Sequence, residues 1–109
     1  MKIIRTKTFS KDFARVGGTS EDYEALVTEL IENPESGDRI QGLKGVRKIR
    51  FAFKNRNIGK SGGGRAIYLA MVMQETIILL KAYAKNEQTD LSARQRKEIL
   101  RFLEEFDHA

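Results

Sequence analysis

The sequence contains no cysteine, a single histidine and a single proline. Without cysteine there is no disulfide framework, no thiolate zinc site and no cysteine nucleophile. The one histidine, His108, is next to last in the chain, so histidine metal clusters and chemistry needing two imidazoles are excluded as well. No apolar run approaches the roughly 20 residues that a bilayer span requires. Met1 to Phe9 mixes charges with short apolar pairs and lacks the unbroken apolar stretch of a secretory signal. With 109 residues, 40% of them hydrophobic and 32% charged, the expectation is one soluble cytoplasmic domain over residues 1–109.

Acidic residues are missing from one long window. Residues 39–65 carry nine basic side chains and no acidic one, whereas residues 19–38 carry seven acidic and no basic ones. The net charge of +5 is therefore concentrated rather than spread. Such a window points either to a polyanion partner, most simply nucleic acid, or to a basic face that only keeps the protein in solution.

Apolar periodicity organises the chain. Lys2 to Thr8 reads as a short strand, and Ser10 is placed to cap a brief helical turn over Lys11 to Arg15, ended by Gly17 and Gly18. Thr19 or Ser20 offers an N-cap, with Glu21, Asp22 and Glu24 in the first turn, where the helix dipole favours negative charge. Tyr23, Leu26, Val27, Leu30 and Ile31 then form one apolar stripe at helical spacing, stopped before Pro34. From Val46 the period becomes two: Ile49, Phe51 and Phe53 alternate with Lys48, Arg50, Ala52 and Lys54. After the glycine-rich stretch Gly59 to Gly64, Arg65 to Met73 and Thr76 to Ala84 read as the central strands of a hairpin. Ser92 and Gln95 fit a capping box for a last helix whose face holds Ile99, Phe102, Leu103 and Phe106. The expected class is α+β in the order β-α-α-β-β-β-α: a small antiparallel sheet with two N-terminal helices and one C-terminal helix.

Gly59-Lys60-Ser61 is not a nucleotide-binding loop. The phosphate-loop pattern wants a glycine five residues before its Gly-Lys pair, where Lys54 stands, and the loop leads into a strand rather than a helix. Lys48 and Arg50 share a strand face, with Lys54 further on. Cations converging on a sheet hold a scissile phosphate, or simply keep that face soluble. Arg65 follows three glycines and opens an apolar strand, and its planar fork suits a phosphate as lysine's point charge does not. Lys81, Tyr83 and Lys85 share one parity near the end of the last strand, where a cation either snorkels or functions and a tyrosine either packs or stacks on a base. No carboxylate cluster suggests a metal, so no cofactor is expected.

Three segments taken together carry a family resemblance: Gly42 to Arg50 with its Lys-Ile-Arg, Gly62 to Tyr68 with its Gly-Gly-Gly-Arg, and Tyr83 to Glu87 (Tyr-Ala-Lys-Asn-Glu) before Leu91 and Ser92. In this order and spacing they resemble the RelE/ParE superfamily of toxins from bacterial toxin–antitoxin modules, most nearly its HigB-like branch. The resemblance covers nearly the whole chain in element order. It implies a toxin that enters the ribosomal A site, cuts mRNA there and inhibits translation until a cognate antitoxin neutralises it, with operator DNA bound only as the toxin–antitoxin complex. By the same resemblance Lys48, Arg50, Arg65 and Lys85 form the catalytic set. Arg47, Lys54, Lys60, Lys81 and Tyr83 supply further RNA contacts. Asn86 stands where RelE has an arginine. Cleavage would use the RNA's own 2′-hydroxyl, leaving a 2′,3′-cyclic phosphate and a 5′-hydroxyl, with no metal. Arg65 would stabilise the phosphorane and Lys48 or Lys85 would serve as general base. Two other readings stay open: a ParE-like DNA gyrase poison, and a non-catalytic RNA-binding domain that leaves RNA intact.

Overall fold

The computed structural model describes residues 1–107, so His108 lies outside the described residues. The chain runs β1 (Lys2–Arg5), α1 (Lys7–Arg15), α2 (Ser20–Glu32), β2 (Asp38–Arg39), β3 (Arg47–Phe51), β4 (Gly64–Met71), β5 (Thr76–Ala84) and α3 (Ala93–Asp107). The strands form one five-stranded sheet in the order β1-β5-β4-β3-β2. The α+β order, the central β4–β5 hairpin, the two N-terminal helices and the C-terminal helix are as the sequence leads one to expect. Two features of the sheet differ. β1 runs parallel to β5, which makes the sheet mixed, and the two-residue β2, too short to show a period, pairs with Arg47 and Lys48.

The first helix begins earlier than Ser10. Thr6 is its N-cap: the hydroxyl accepts the Phe9 N–H at 3.1 Å and donates to the Leu79 carbonyl of β5 at 2.8 Å. Lys7 and Thr8 are therefore helical, and Phe9 and Phe13, four residues apart, turn one buried face onto the sheet. Thr6 thus ties a helix start to a central strand. Thr6→Ala is expected to cost about 1–2 kcal/mol and Thr6→Ser much less, read as a shift of the urea midpoint at constant slope. Equal midpoints for the two variants would refute this role.

For the second helix Thr19, not Ser20, is the cap. Its hydroxyl accepts the Asp22 N–H and the Asp22 carboxylate accepts the Thr19 N–H, both at 3.1 Å. The other Asp22 oxygen accepts the Lys54 N–H at 3.0 Å, so this buried acid also anchors the chain leaving β3. The last helix has the capping box expected, with Ser92 and Gln95 bonded reciprocally.

Helices cover both faces of the sheet. On one, Phe9 and Phe13 of α1 and Leu26 and Leu30 of α2 pack on Ile49, Phe51, Ala66, Tyr68, Ile77 and Leu79. Phe13 and Phe51 have ring centroids 5.2 Å apart, Phe9 and Phe13 5.4 Å. On the other face Ile99 and Leu103 of α3, with Leu43, Val46 and Leu91, cover Ile67, Ile78 and Leu80. The alternation in β3 places Ile49 and Phe51 in the first core and leaves Lys48 and Arg50 to the second face.

The β4–β5 pairing contains one irregularity. Ile67 pairs with Lys81 and Tyr68 with Leu79, so Leu80 is an extra residue on β5. Strict alternation from Ile77 and Leu79 would carry Lys81 and Tyr83 into the core beneath α1 and α2. The bulge resets the parity and brings Tyr83 to the α3 face instead.

Candidate anion-binding face

Residues paired across neighbouring strands point to the same side of a sheet. The register therefore builds the site in rungs. Arg50 of β3 lies opposite Arg65 of β4, which lies opposite Tyr83 of β5. The next rung is Lys48, Ile67 and Lys81. Lys85 directly follows β5, and its N–H bonds the Gly63 carbonyl at 2.9 Å, which keeps it beside the loop leading to Arg65. Of the four residues expected to act together, Lys48, Arg50 and Arg65 are thus brought to the α3 face of the sheet, and the Lys85 backbone is held next to the glycine segment before Arg65.

Arg65 is largely buried, at 7% exposure, and its guanidinium is fixed by backbone alone. It donates to the carbonyls of Gly64 (3.0 Å), Lys60 (3.2 Å) and Ser61 (3.3 Å). A guanidinium bonded to neutral carbonyls keeps its whole charge. Burial, and then the Arg50 charge, pull the Arg65 pKa below its usual value. Arginine nonetheless stays protonated in a protein, so two cations face each other across the β3–β4 pair. Neither Arg50 nor Arg65 has a carboxylate partner among the described residues. Like charges placed directly opposite are destabilising. An anion bound between them reverses the sign of that interaction.

Several expected RNA contacts are placed elsewhere. Arg47 points to the opposite face, where it donates to the Gly37 carbonyl at 2.7 Å and pairs with Glu35. With the Tyr68 hydroxyl it clamps the segment joining α2 to β2. Lys54 and Lys60 border a cavity of about 540 Å³ against α2, and Lys60 pairs with Glu29 at 2.9 Å. The reason is that the chain leaves the strand after Phe51 and folds into short helical turns at Lys54–Arg56 and Lys60–Gly62, so the strand parity assumed for Lys54 does not extend that far. The Arg56 guanidinium lies 3.9 Å from the Phe53 ring centre and donates to the Val16 carbonyl, pinning this excursion to α1.

Lys81 is on the expected face but lies under α3, where its ammonium pairs with Glu98 at 2.9 Å. The hydrogen bond from Lys81, and then its charge, lower the Glu98 pKa below the ordinary 4.5. A carboxylate depressed by folding adds stability above its unfolded pKa and loses it as pH falls through the folded one. Stability is therefore expected to drop below pH 4.5 with a share removed by Glu98→Gln, seen as a flatter acid limb in urea unfolding against pH. Identical acid limbs would exclude the pair from acid stability.

Asp90 is the residue that the sequence reading missed. Its carboxylate stands 3.5 Å from the Lys48 ammonium. It follows the last strand by several residues, and no spacing rule connects it to Lys48; only the fold brings them together. Among the described residues no trio of His, Cys, Asp or Glu gathers as a metal site, and no helix is long and apolar enough to cross a membrane.

The arrangement of three helices on a five-stranded mixed sheet is the fold of RelE-like solved structures. No protein-family model matches the chain. Among solved structures, a double arginine-to-alanine mutant of the E. coli toxin RelE in the free state superposes with a TM-score of 0.59 at 16% identity, over 92% of this chain and 94% of that one. The isolated E. coli RelE toxin gives 0.56 at 16% identity, over 93% and 97%. The solution structure of the conserved hypothetical protein HP0892 from Helicobacter pylori gives 0.53 at 18% identity, over 80% and 97%.

Proposed function

We propose that this protein is the toxin of a bacterial toxin–antitoxin module and acts in the cytoplasm as a ribosome-dependent endoribonuclease on mRNA in the A site. The observation that carries the reading is the Arg50–Arg65 opposition across β3 and β4, with no carboxylate partner for either among the described residues. Two guanidiniums held apart from any carboxylate suit one anion with oxygens on two sides, which a phosphodiester is. The RelE-like fold supports the same reading, and so does the HigB-like order of sequence segments.

In this mechanism the RNA 2′-oxygen forms a bond to the adjacent phosphorus and the bond to the 5′-oxygen breaks. Arg50 and Arg65 stabilise the added charge on the phosphorane. A lysine amine, Lys48 or Lys85, takes the 2′-hydroxyl proton, and another cation of the face assists the departing 5′-oxygen. The products are a 2′,3′-cyclic phosphate and a 5′-hydroxyl, and no cofactor takes part. A cognate antitoxin would silence the toxin by covering part of this basic face, and operator DNA would be bound by the pair together.

Primer extension on a defined mRNA in a bacterial translation extract tests the proposal. The expected result is discrete breaks inside the translated frame that need both ribosome and toxin. Intact mRNA at concentrations that stop growth would overturn it in favour of gyrase poisoning or passive RNA binding.

A further inference from the structure

Two tyrosines are fully buried in the sheet, and their hydroxyls have different surroundings. The Tyr68 hydroxyl donates to the Pro34 carbonyl at 2.8 Å and accepts the Gly37 N–H at 3.0 Å. The Tyr83 hydroxyl has no partner among the described residues. Phenylalanine would fill the same space and leave nothing unsatisfied, so packing gives no reason for this hydroxyl. Tyr83 is also the third member of the Arg50–Arg65 rung.

The charged groups that bear on the Tyr83 phenol are Asp90 and Arg65. The Asp90 side chain is 72% exposed and its carboxylate is loosely held, 3.5 Å from Lys48 and bonded to the Leu91 N–H. The ammonium that this carboxylate pairs with belongs to Lys48, one rung along the same face of the sheet from Arg50, Arg65 and the unused O–H donor of Tyr83. A phosphodiester carries the same single negative charge. Exchanging it for the carboxylate leaves the net charge unchanged and adds the arginines, neither of which pairs with Asp90.

We propose that the Asp90 carboxylate holds the place of an RNA phosphate in the free protein, and that the Tyr83 hydroxyl donates a hydrogen bond to the phosphate that displaces it. The inference rests on the reading of this face as an RNA site. It makes Asp90 an internal competitor for Lys48, and it makes Tyr83 a substrate-contacting residue through its oxygen rather than its ring.

The test is fluorescence anisotropy at low salt with a labelled 2′-O-methyl oligoribonucleotide, which offers no 2′-hydroxyl to be cut, and with inorganic phosphate as competitor. Asp90→Asn is expected to bind about threefold tighter or more, since the competing charge is gone. Tyr83→Phe is expected to bind about tenfold more weakly while melting at or above the wild-type temperature, because no native hydrogen bond is lost. Equal binding by Tyr83→Phe, or a lowered melting temperature, would overturn the role of the hydroxyl. Weaker binding by a folded Asp90→Asn would make Asp90 a ligand-holding group instead of a stand-in. Wild-type protein that binds no oligonucleotide would remove the RNA site itself, whereas wild-type binding with neither variant altered removes only this inference.

Discussion

Arg65→Ala is expected to lower mRNA cleavage by about 10²-fold or more, and Arg65→Lys to recover little of it. The guanidinium is not a loose surface charge. Three carbonyls of the segment from Lys60 to Gly64 fix its plane, so its remaining N–H groups are aimed before any substrate arrives. A lysine ammonium restores the charge without the fork. Removal of Arg65 also leaves those carbonyls without their donor, at a cost to stability of about 1–3 kcal/mol. Arg50 provides the contrast. It is exposed and has no salt-bridge partner among the described residues, so Arg50→Ala is expected to hold stability within about 0.5 kcal/mol while weakening RNA binding. Initial cleavage rates by primer extension, set beside urea midpoints for the same variants, separate the two roles. Full cleavage by Arg65→Ala would defeat the assignment, and so would an Arg50→Ala protein less stable than Arg65→Ala.

Gly63→Ala is expected to be the most disruptive small substitution in the chain. A Cβ at Gly63 would fall onto the Phe51 carbonyl oxygen, 3.0 Å from the Gly59 carbonyl oxygen and 3.2 Å from the Ala52 Cα. These are backbone atoms and cannot rotate away. The clash must be relieved by separating β3 from the start of β4, at a cost of about 3 kcal/mol, the upper end for overpacking. That separation also shifts the Lys60 and Ser61 carbonyls that hold Arg65, so the RNA binding proposed for this face is expected to fall along with stability. Gly59→Ala is the matched control. Nothing lies within 4 Å of its Cβ position and its φ of −72° suits any residue. It is expected to change stability by less than about 0.5 kcal/mol. Equal urea midpoints for the two alanine variants would show that the strands do not approach at Gly63 as described.

Much of the fold was legible because its signals are local. The spacing of Leu26 and Leu30 gives a buried helix face, the alternation of Ile49 and Phe51 a strand face, and Ser92 with Gln95 a helix start. Thr6 was not legible as a cap. Its value comes from the Leu79 carbonyl, 73 residues away, and Ser10 carries the same local signal. The parallel pairing of β1 was equally hidden, since nothing in Lys2 to Arg5 states which strand lies beside it. The basic window was visible as composition, yet its members divide. Lys48 and Arg50 face the site, Arg47 clamps the segment before β2, and Lys60 pairs with α2.

By itself the sequence determined the order of the main helices and strands, the buried faces of α2, β3 and α3, the concentration of positive charge, and the absence of cysteine and paired-histidine chemistry, all of which depend on composition or on neighbours a few positions apart. The tertiary structure alone decided which cations meet. Arg50 and Arg65 are 15 positions apart and oppose each other only through the β3–β4 register. Tyr83 joins them only because Leu80 is left unpaired, since a single extra residue in a strand moves every later side chain to the other face of the sheet. Register and bulge arise from pairing between distant segments, and a period of two read along one strand contains neither.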